Sequence, residues 1–115
     1  MQFNTFCHVE WYALDFERVQ KFYGEVFGWT FTPMGEDYLL FHTPNSVDGG
    51  FSIADSVAPK QGAIVYIMVD SLEAYIEKID ALGGKTSPIH PIPEMGRITL
   101  FTDLEGNELG LFQAL

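Results

Sequence analysis

The sequence predicts an α+β fold in which one strand–helix–strands unit occurs twice, and three observations predict it. His8-Val9-Glu10-Trp11-Tyr12-Ala13 alternates as a strand does and runs into an amphipathic helix over 15–27 that ends at Gly28. Roughly half the chain later, 64–69 reads as a strand and runs into a second such helix over 70–82, ended by Gly83-Gly84. Turn-punctuated, strand-like segments follow each helix. A repeat of this length is one supersecondary unit duplicated within a domain, and two such units can place a pocket between their sheets.

The helix at 15–27 carries Phe16, Val19, Phe22, Tyr23, Val26 and Phe27 on one stripe, with Glu17, Arg18, Gln20, Lys21 and Glu25 elsewhere. Asp15 is placed to cap its N-terminus, and Gly28 can take the left-handed position that ends it. At helical spacing, the cluster of aromatics around Gly28 reads as core. In the strand before it, period-two alternation puts Val9, Trp11 and Ala13 on the face that packs under the helix. His8, Glu10 and Tyr12 share the other face. An imidazole, a carboxylate and a phenol are expensive to bury without partners, so that face points at water, a partner chain or a polar cavity. Strands are expected next at 30–34, 38–43 and 49–54, separated by turn signals at 35–37 and 44–46.

A polar, breaker-rich stretch at 59–62 is the natural joint between halves. In the strand at 64–69, Val65, Ile67 and Val69 match the helix-packing face of the earlier strand, leaving Ile64, Tyr66 and Met68 on the other. The second helix places Leu72, Tyr75, Ile76, Ile79 and Leu82 on one stripe. Asp70 with Glu73 three residues on reads as a capping box, Asp replacing the usual Ser or Thr. Strands follow at 85–87, 97–102 and 108–113. The proline-rich segment 88–93 reads as a loop, because prolines cannot donate to a ladder and do not suit a central strand. His90 and Arg97 flank or follow that loop, where pocket rims often carry ligand contacts.

Composition excludes some functions. At 115 residues one domain, 1–115, is expected, with module one about 1–58 and module two about 59–115; 47% hydrophobic and 15% aromatic residues can bury a core. No run approaches the roughly 18 apolar residues of a membrane span, so a soluble protein without a membrane partner is expected. Met1-Gln2-Phe3-Asn4 lacks the basic segment of a signal peptide, which makes a cytoplasmic location the expectation. The lone Cys7 has no internal disulfide partner and reads as a small strand residue beside His8. The net charge of −10, from sixteen acidic and six basic residues, argues against a nucleic-acid partner, which needs a basic surface. The same charge aids solubility and suits a cationic ligand.

Four segments together resemble the vicinal-oxygen-chelate superfamily, which includes glyoxalase I, bleomycin-resistance proteins and extradiol dioxygenases. They are residues 8–15, Phe22-Tyr23-Gly24-Glu25-Val26-Phe27-Gly28-Trp29, Ala81-Leu82-Gly83-Gly84-Lys85 and Thr102-Asp103-Leu104-Glu105-Gly106-Asn107-Glu108. The resemblance implies two βαβββ modules in tandem, forming curved mixed sheets around a cup with the helices on the convex side. It also implies pairing of modules, often across a dimer, so a homodimer is expected. The superfamily's enzymes hold a divalent metal in the cup through residues of the first and last strands of paired modules. His8 falls at the first-strand ligand position. Its counterpart in the second half falls at Ile64, and the last-strand position, four residues after Gly106, falls at Gly110; neither side chain binds a metal. The first module's last-strand position falls near 49–55, where Asp55 alone could coordinate. The usual four-ligand site is therefore not expected, and no cofactor is expected unless a reduced divalent-metal site forms at His8.

Projecting the alternation onto the implied concave faces gives His8, Glu10, Tyr12, Ile64, Tyr66, Met68, Glu108 and Phe112, with Arg97, Thr99 and Phe101 as additions. An aromatic lining with a few polar groups is the chemistry of a small-molecule pocket. His8 beside Glu10 is the candidate acid–base pair; Tyr12, Tyr66, Met68, Arg97, Glu108 and Phe112 are candidate ligand contacts. The first functional reading is a glyoxalase/bleomycin-resistance-like protein that binds a small molecule without the usual metal site. The second is a glyoxalase-like, metal-dependent lyase or isomerase using a reduced site at His8. A third is an interaction module whose pocket its own side chains fill.

Overall fold

A computed structural model describes residues 3, 4, 6–55 and 63–115. In chain order its elements are β1 (Val9–Ala13), α1 (Phe16–Phe27), β2 (Thr30–Pro33), β3 (Tyr38–His42) and β4 (Gly49–Ile53), then β5 (Tyr66–Met68), α2 (Leu72–Ala81), β6 (Lys85–Thr86), β7 (His90–Ile92), β8 (Gly96–Thr102) and β9 (Glu108–Ala114). The chain divides into two units, Met1–Val57 and Ala58–Leu115. The fold is α+β, as the repeat predicts, with two helices and two mixed sheets among the described residues. None of its described helices is long and apolar enough to cross a membrane.

The first unit's sheet has the order β1-β4-β3-β2. β1 runs parallel to β4, and the other two pairings are antiparallel. Asp15 caps α1 by accepting the Glu17 backbone N–H, and Gly28 closes it at φ 73°, its N–H donating to the Gly24 carbonyl. The stripe Val19, Phe22, Tyr23 and Val26 is buried, as are Ala13, Leu39, Phe41 and Phe51 from the strands. The aromatics join end to end. Trp29 stacks between Tyr23 and Phe41 at centroid distances of 4.9 and 4.8 Å, and Trp11 lies against Phe41 and Phe51 at 5.6 and 5.8 Å. Each such pair adds about 0.5–1.5 kcal/mol beyond the area it buries. This core fixes which way the alternate residues point. With Leu39, Phe41 and Phe51 buried, their neighbours Tyr38, Leu40, Gly50 and Ser52 must face the opposite side of the sheet.

The second unit repeats the plan with the order β5-β9-β8-β6, β7 pairing with β8 beside β6. Again the strand before the helix runs parallel to the last strand. Leu72 and Ile79 of α2 are buried, with Val69, Phe101, Leu109 and Leu111. Two expectations change here. The N-cap of α2 is Ser71, whose hydroxyl accepts the Ala74 N–H at 3.2 Å; Asp70 lies outside the helix. The expected Asp70–Glu73 capping box is not formed: with Ser71 as the cap the residue three on is Ala74, and Glu73 pairs with Arg97. The proline-rich segment is also more than a loop: His90–Ile92 is a short antiparallel strand, with Pro91 opposite Arg97. It lies at the sheet edge, where a proline's missing N–H leaves no ladder bond unmade.

Candidate functional site

The open face of the first sheet carries the polar residues. Across β1, β4 and β3 the register aligns Glu10, Gly50 and Leu40 in one row and Tyr12, Ser52 and Tyr38 in the next. Tyr38 leans diagonally across Gly50 towards Glu10. A Cβ at Gly50 would collide with the Tyr38 ring and its hydroxyl, so the glycine is what lets the phenol lie flat over the middle strand. The Tyr38 hydroxyl donates to Glu10 Oε1 at 2.9 Å, and His8 Nε2 lies 2.7 Å from the same hydroxyl. The His8 and Tyr38 rings stack, with centroids 6.2 Å apart.

Proton accounting settles the direction of these bonds. A phenol has one proton, and an ionised carboxylate can only accept, so Tyr38 gives its proton to Glu10. The bond to His8 must then be donated by the imidazole, from Nε2–H. Burial, the hydrogen bond to Glu10 and that residue's negative charge push the Tyr38 phenol up to about 12. His8, one residue before β1, is thus tied through Tyr38 to Glu10, the pair the alternation placed on one face. Tyr38 itself is missed by projecting only the first and last strands. Its signal is nevertheless legible: Tyr38, Leu40 and His42 alternate with the apolar Leu39 and Phe41.

A second polar group lies on the same face. His42 Nε2 sits 2.9 Å from the Thr32 hydroxyl, and Nδ1 is 3.5 Å from Asp48 Oδ2. The other Asp48 oxygen accepts the Thr43 backbone N–H at 2.7 Å. That bond first, and then the His42 imidazole, hold the Asp48 carboxyl below its ordinary value.

On the second sheet, Tyr66 pairs with Gly110 and Met68 with Phe112, so these side chains and Glu108 share the open face. The Tyr66 ring covers Gly110 as Tyr38 covers Gly50, and a Cβ at Gly110 would strike it. Tyr66 and Met68 are 46% and 72% exposed, enough to meet a ligand. One oxygen of Glu108 is enclosed with no hydrogen-bond partner among the described residues. Arg97 is not on this face. With Thr99 and Phe101 it alternates onto the side that packs against α2, opposite Gln113, Leu111 and Leu109. Its guanidinium binds both Glu73 oxygens at 2.8 and 3.1 Å and the Gln113 side-chain oxygen at 3.0 Å. The hydrogen bonds from Arg97 hold the Glu73 carboxyl down to about 2. Arg97 thereby braces β8 and β9 against α2.

Comparison with known proteins fits this arrangement. A family model described as bleomycin resistance protein-like N-terminal matches residues 5–44. A glyoxylase-like domain-containing protein of Didymella fabae is 36% identical over 105 residues, covering 83% of this chain and 82% of that protein. Relatives from Mycobacterium bovis and Mycobacterium tuberculosis that carry a glyoxylase name are 29% identical, and the chain spans 44% of their length. Among solved structures, a variant of the fosfomycin resistance protein FosX from Listeria monocytogenes, complexed with Mn(II) and a dihydroxypropylphosphonic acid, superposes with a TM-score of 0.81. It is 19% identical and the match covers 96% of this chain and 90% of that one, a likeness of fold alone. The chain belongs to the vicinal-oxygen-chelate superfamily, as a glyoxalase/bleomycin-resistance-like member.

That superfamily implies a divalent metal, and the residues here do not fit one. His8 and Ile64 each lie eight residues before the first residue of their helices, Phe16 and Leu72. Two residues on, Glu10 pairs with Gly50 and Tyr66 with Gly110, so these two rungs correspond. The last-strand ligand position of the first unit is therefore Gly50. Asp55 lies beyond the end of β4 at Ile53 and does not supply it. Of the four positions, Ile64, Gly50 and Gly110 have no donor side chain, and tyrosine rings roof both glycines. No group of three His, Cys, Asp or Glu side chains converges among the described residues. A catalytic metal needs about three protein ligands and an open position.

Proposed function

We propose that this chain binds a small molecule on the open face of its first sheet, without the divalent metal of its superfamily's enzymes. The observation that supports this most directly is the pairing of Gly50 with Tyr38 and Gly110 with Tyr66. At both last-strand positions an aromatic ring over a glycine stands where a ligating side chain would be. His8, Glu10 and Tyr38 supply the polar end, hydrogen-bonded to one another through the phenol. Tyr12 adds an exposed ring to that face. Tyr66, Met68, Glu108 and Phe112 give the second sheet an apolar and aromatic face of the same use. Under this reading the chain works as a homodimer, as the resemblance implies.

Metal content and ligand capture test the reading together. Protein purified without chelators should carry no divalent ion in proportion to chain, and Mn(II) or Zn(II) titration should show no site tighter than roughly millimolar at His8. A stoichiometric ion lost in His8→Ala would establish the competing lyase or isomerase with a reduced metal site.

A further inference from the structure

Resting on the reading of the first sheet's open face as the ligand face, the protons already assigned there determine what kind of ligand it can take. Tyr38 spends its proton on Glu10, and His8 spends its Nε2 proton on Tyr38. What remains are the second oxygen of Glu10 and, in neutral His8, the Nδ1 lone pair. Both can only accept. Further along the face, Asp48 is a carboxylate held in its ionised form and His42 is engaged with Thr32 and Asp48. Among the described residues of the first unit, no lysine or arginine shares this face. The first 57 residues hold one arginine and one lysine, Arg18 and Lys21, and both belong to α1, which packs on the sheet's other face.

A face made of acceptors and carboxylates, in a chain of net charge −10, repels anions and attracts donors of positive charge. The rings of Tyr38 and of the 46% exposed Tyr12 give an approaching cation two π-faces. The FosX variant of the same fold was complexed with a phosphonic acid. An anion of that kind would find no guanidinium or ammonium group on this face among the described residues of the first unit. We infer that the ligand of this face is cationic: a protonated amine whose N–H groups meet Glu10 and His8 Nδ1, with an apolar body lying against Tyr12 and Tyr38.

Three probes of one shape and different charge test this: 2-phenylethylammonium, 2-phenylethanol and 2-phenylethylphosphonate, each titrated into labelled protein at neutral pH and followed by NMR. The ammonium should shift the His8, Glu10 and Tyr38 resonances and bind about tenfold or more tightly than the alcohol, the factor expected for a hydrogen bond to a charged group. The phosphonate should leave these resonances in place. Glu10→Gln should bring the ammonium to the affinity of the alcohol. Glu25→Gln, which removes an equal charge from α1, should preserve the difference. Equal affinity for ammonium and alcohol, tighter binding of the phosphonate, or no response to any of the three overturns the inference. These outcomes are separable from the metal test: a metal-free protein indifferent to the ammonium loses only its charge selectivity, whereas a metal at His8 removes the binding reading itself.

Discussion

A phenol held between a carboxylate and an imidazole keeps its proton longer than one in water, and Tyr38 makes this measurable. Followed by its own resonances in an NMR pH titration, it should ionise near 12, above the ordinary phenol value of 10.0. Glu10→Gln should move it part of the way back towards 10.0, since burial, the larger cause, persists. The linkage follows from the direction of the shift. Folding raises this pKa, so the stabilisation is complete below pH 10 and is lost as pH rises through about 12. A Tyr38 pKa that Glu10→Gln leaves unchanged would show that the bond to Glu10 is absent. The glycine beneath is equally testable. Gly50→Ala should destabilise the fold by about 1–3 kcal/mol, the usual result of forcing a methyl group into occupied space, and should displace the Tyr38 ring. Thermal unfolding with the Tyr38 resonances as a second readout measures both effects, and an unchanged ring would contradict the packing described. At this scale the sequence is only half legible. His8, Glu10 and Tyr12 announce themselves by alternation. That Tyr38 completes the group depends on a cross-strand diagonal over Gly50, which no single strand encodes.

Secondary structure follows more directly from local pattern, and its failures have physical causes. Both helices are readable because their apolar stripes and terminal residues agree. The cap of α2 falls one residue later than the pattern suggests because the Ser71 hydroxyl accepts the Ala74 N–H, while Glu73 pairs with Arg97. Ser71→Ala should therefore cost about 1 kcal/mol, and Asp70→Ala much less, in denaturant unfolding. The reverse order would restore Asp70 as the cap. Arg97 itself shows why β8 misleads. Ile98 and Leu100 on one face alternate with Thr99 and Phe101 on the other, so both faces are largely apolar and alternation cannot say which meets the helix. A shift of one residue exchanges every side chain between faces. The pairing of Arg97 with Gln113 and Glu73 decides it.

At the scale of the whole molecule, the repeat defines the fold and gives the two units equivalent strand positions. Equivalent rungs in the two units, Glu10 with Gly50 and Tyr66 with Gly110, show a shared scaffold with a glycine at the same last-strand position in each. The fold was readable because duplicated helices and turn signals reinforce each other. The first unit's last-strand position was not, since locating Gly50 requires strand register. The homodimer is a separate expectation: sedimentation at micromolar concentration should give a species of twice the 12.9 kDa chain, and a monomer alone would refute it. The claim on which the functional account rests is that binding proceeds without a resident metal. Calorimetric titration of Mn(II) and Zn(II) into chelator-free protein and into His8→Ala tests it most directly. The two proteins should behave alike, with no saturable site tighter than roughly millimolar. A stoichiometric site present in the parent and lost in His8→Ala would contradict it.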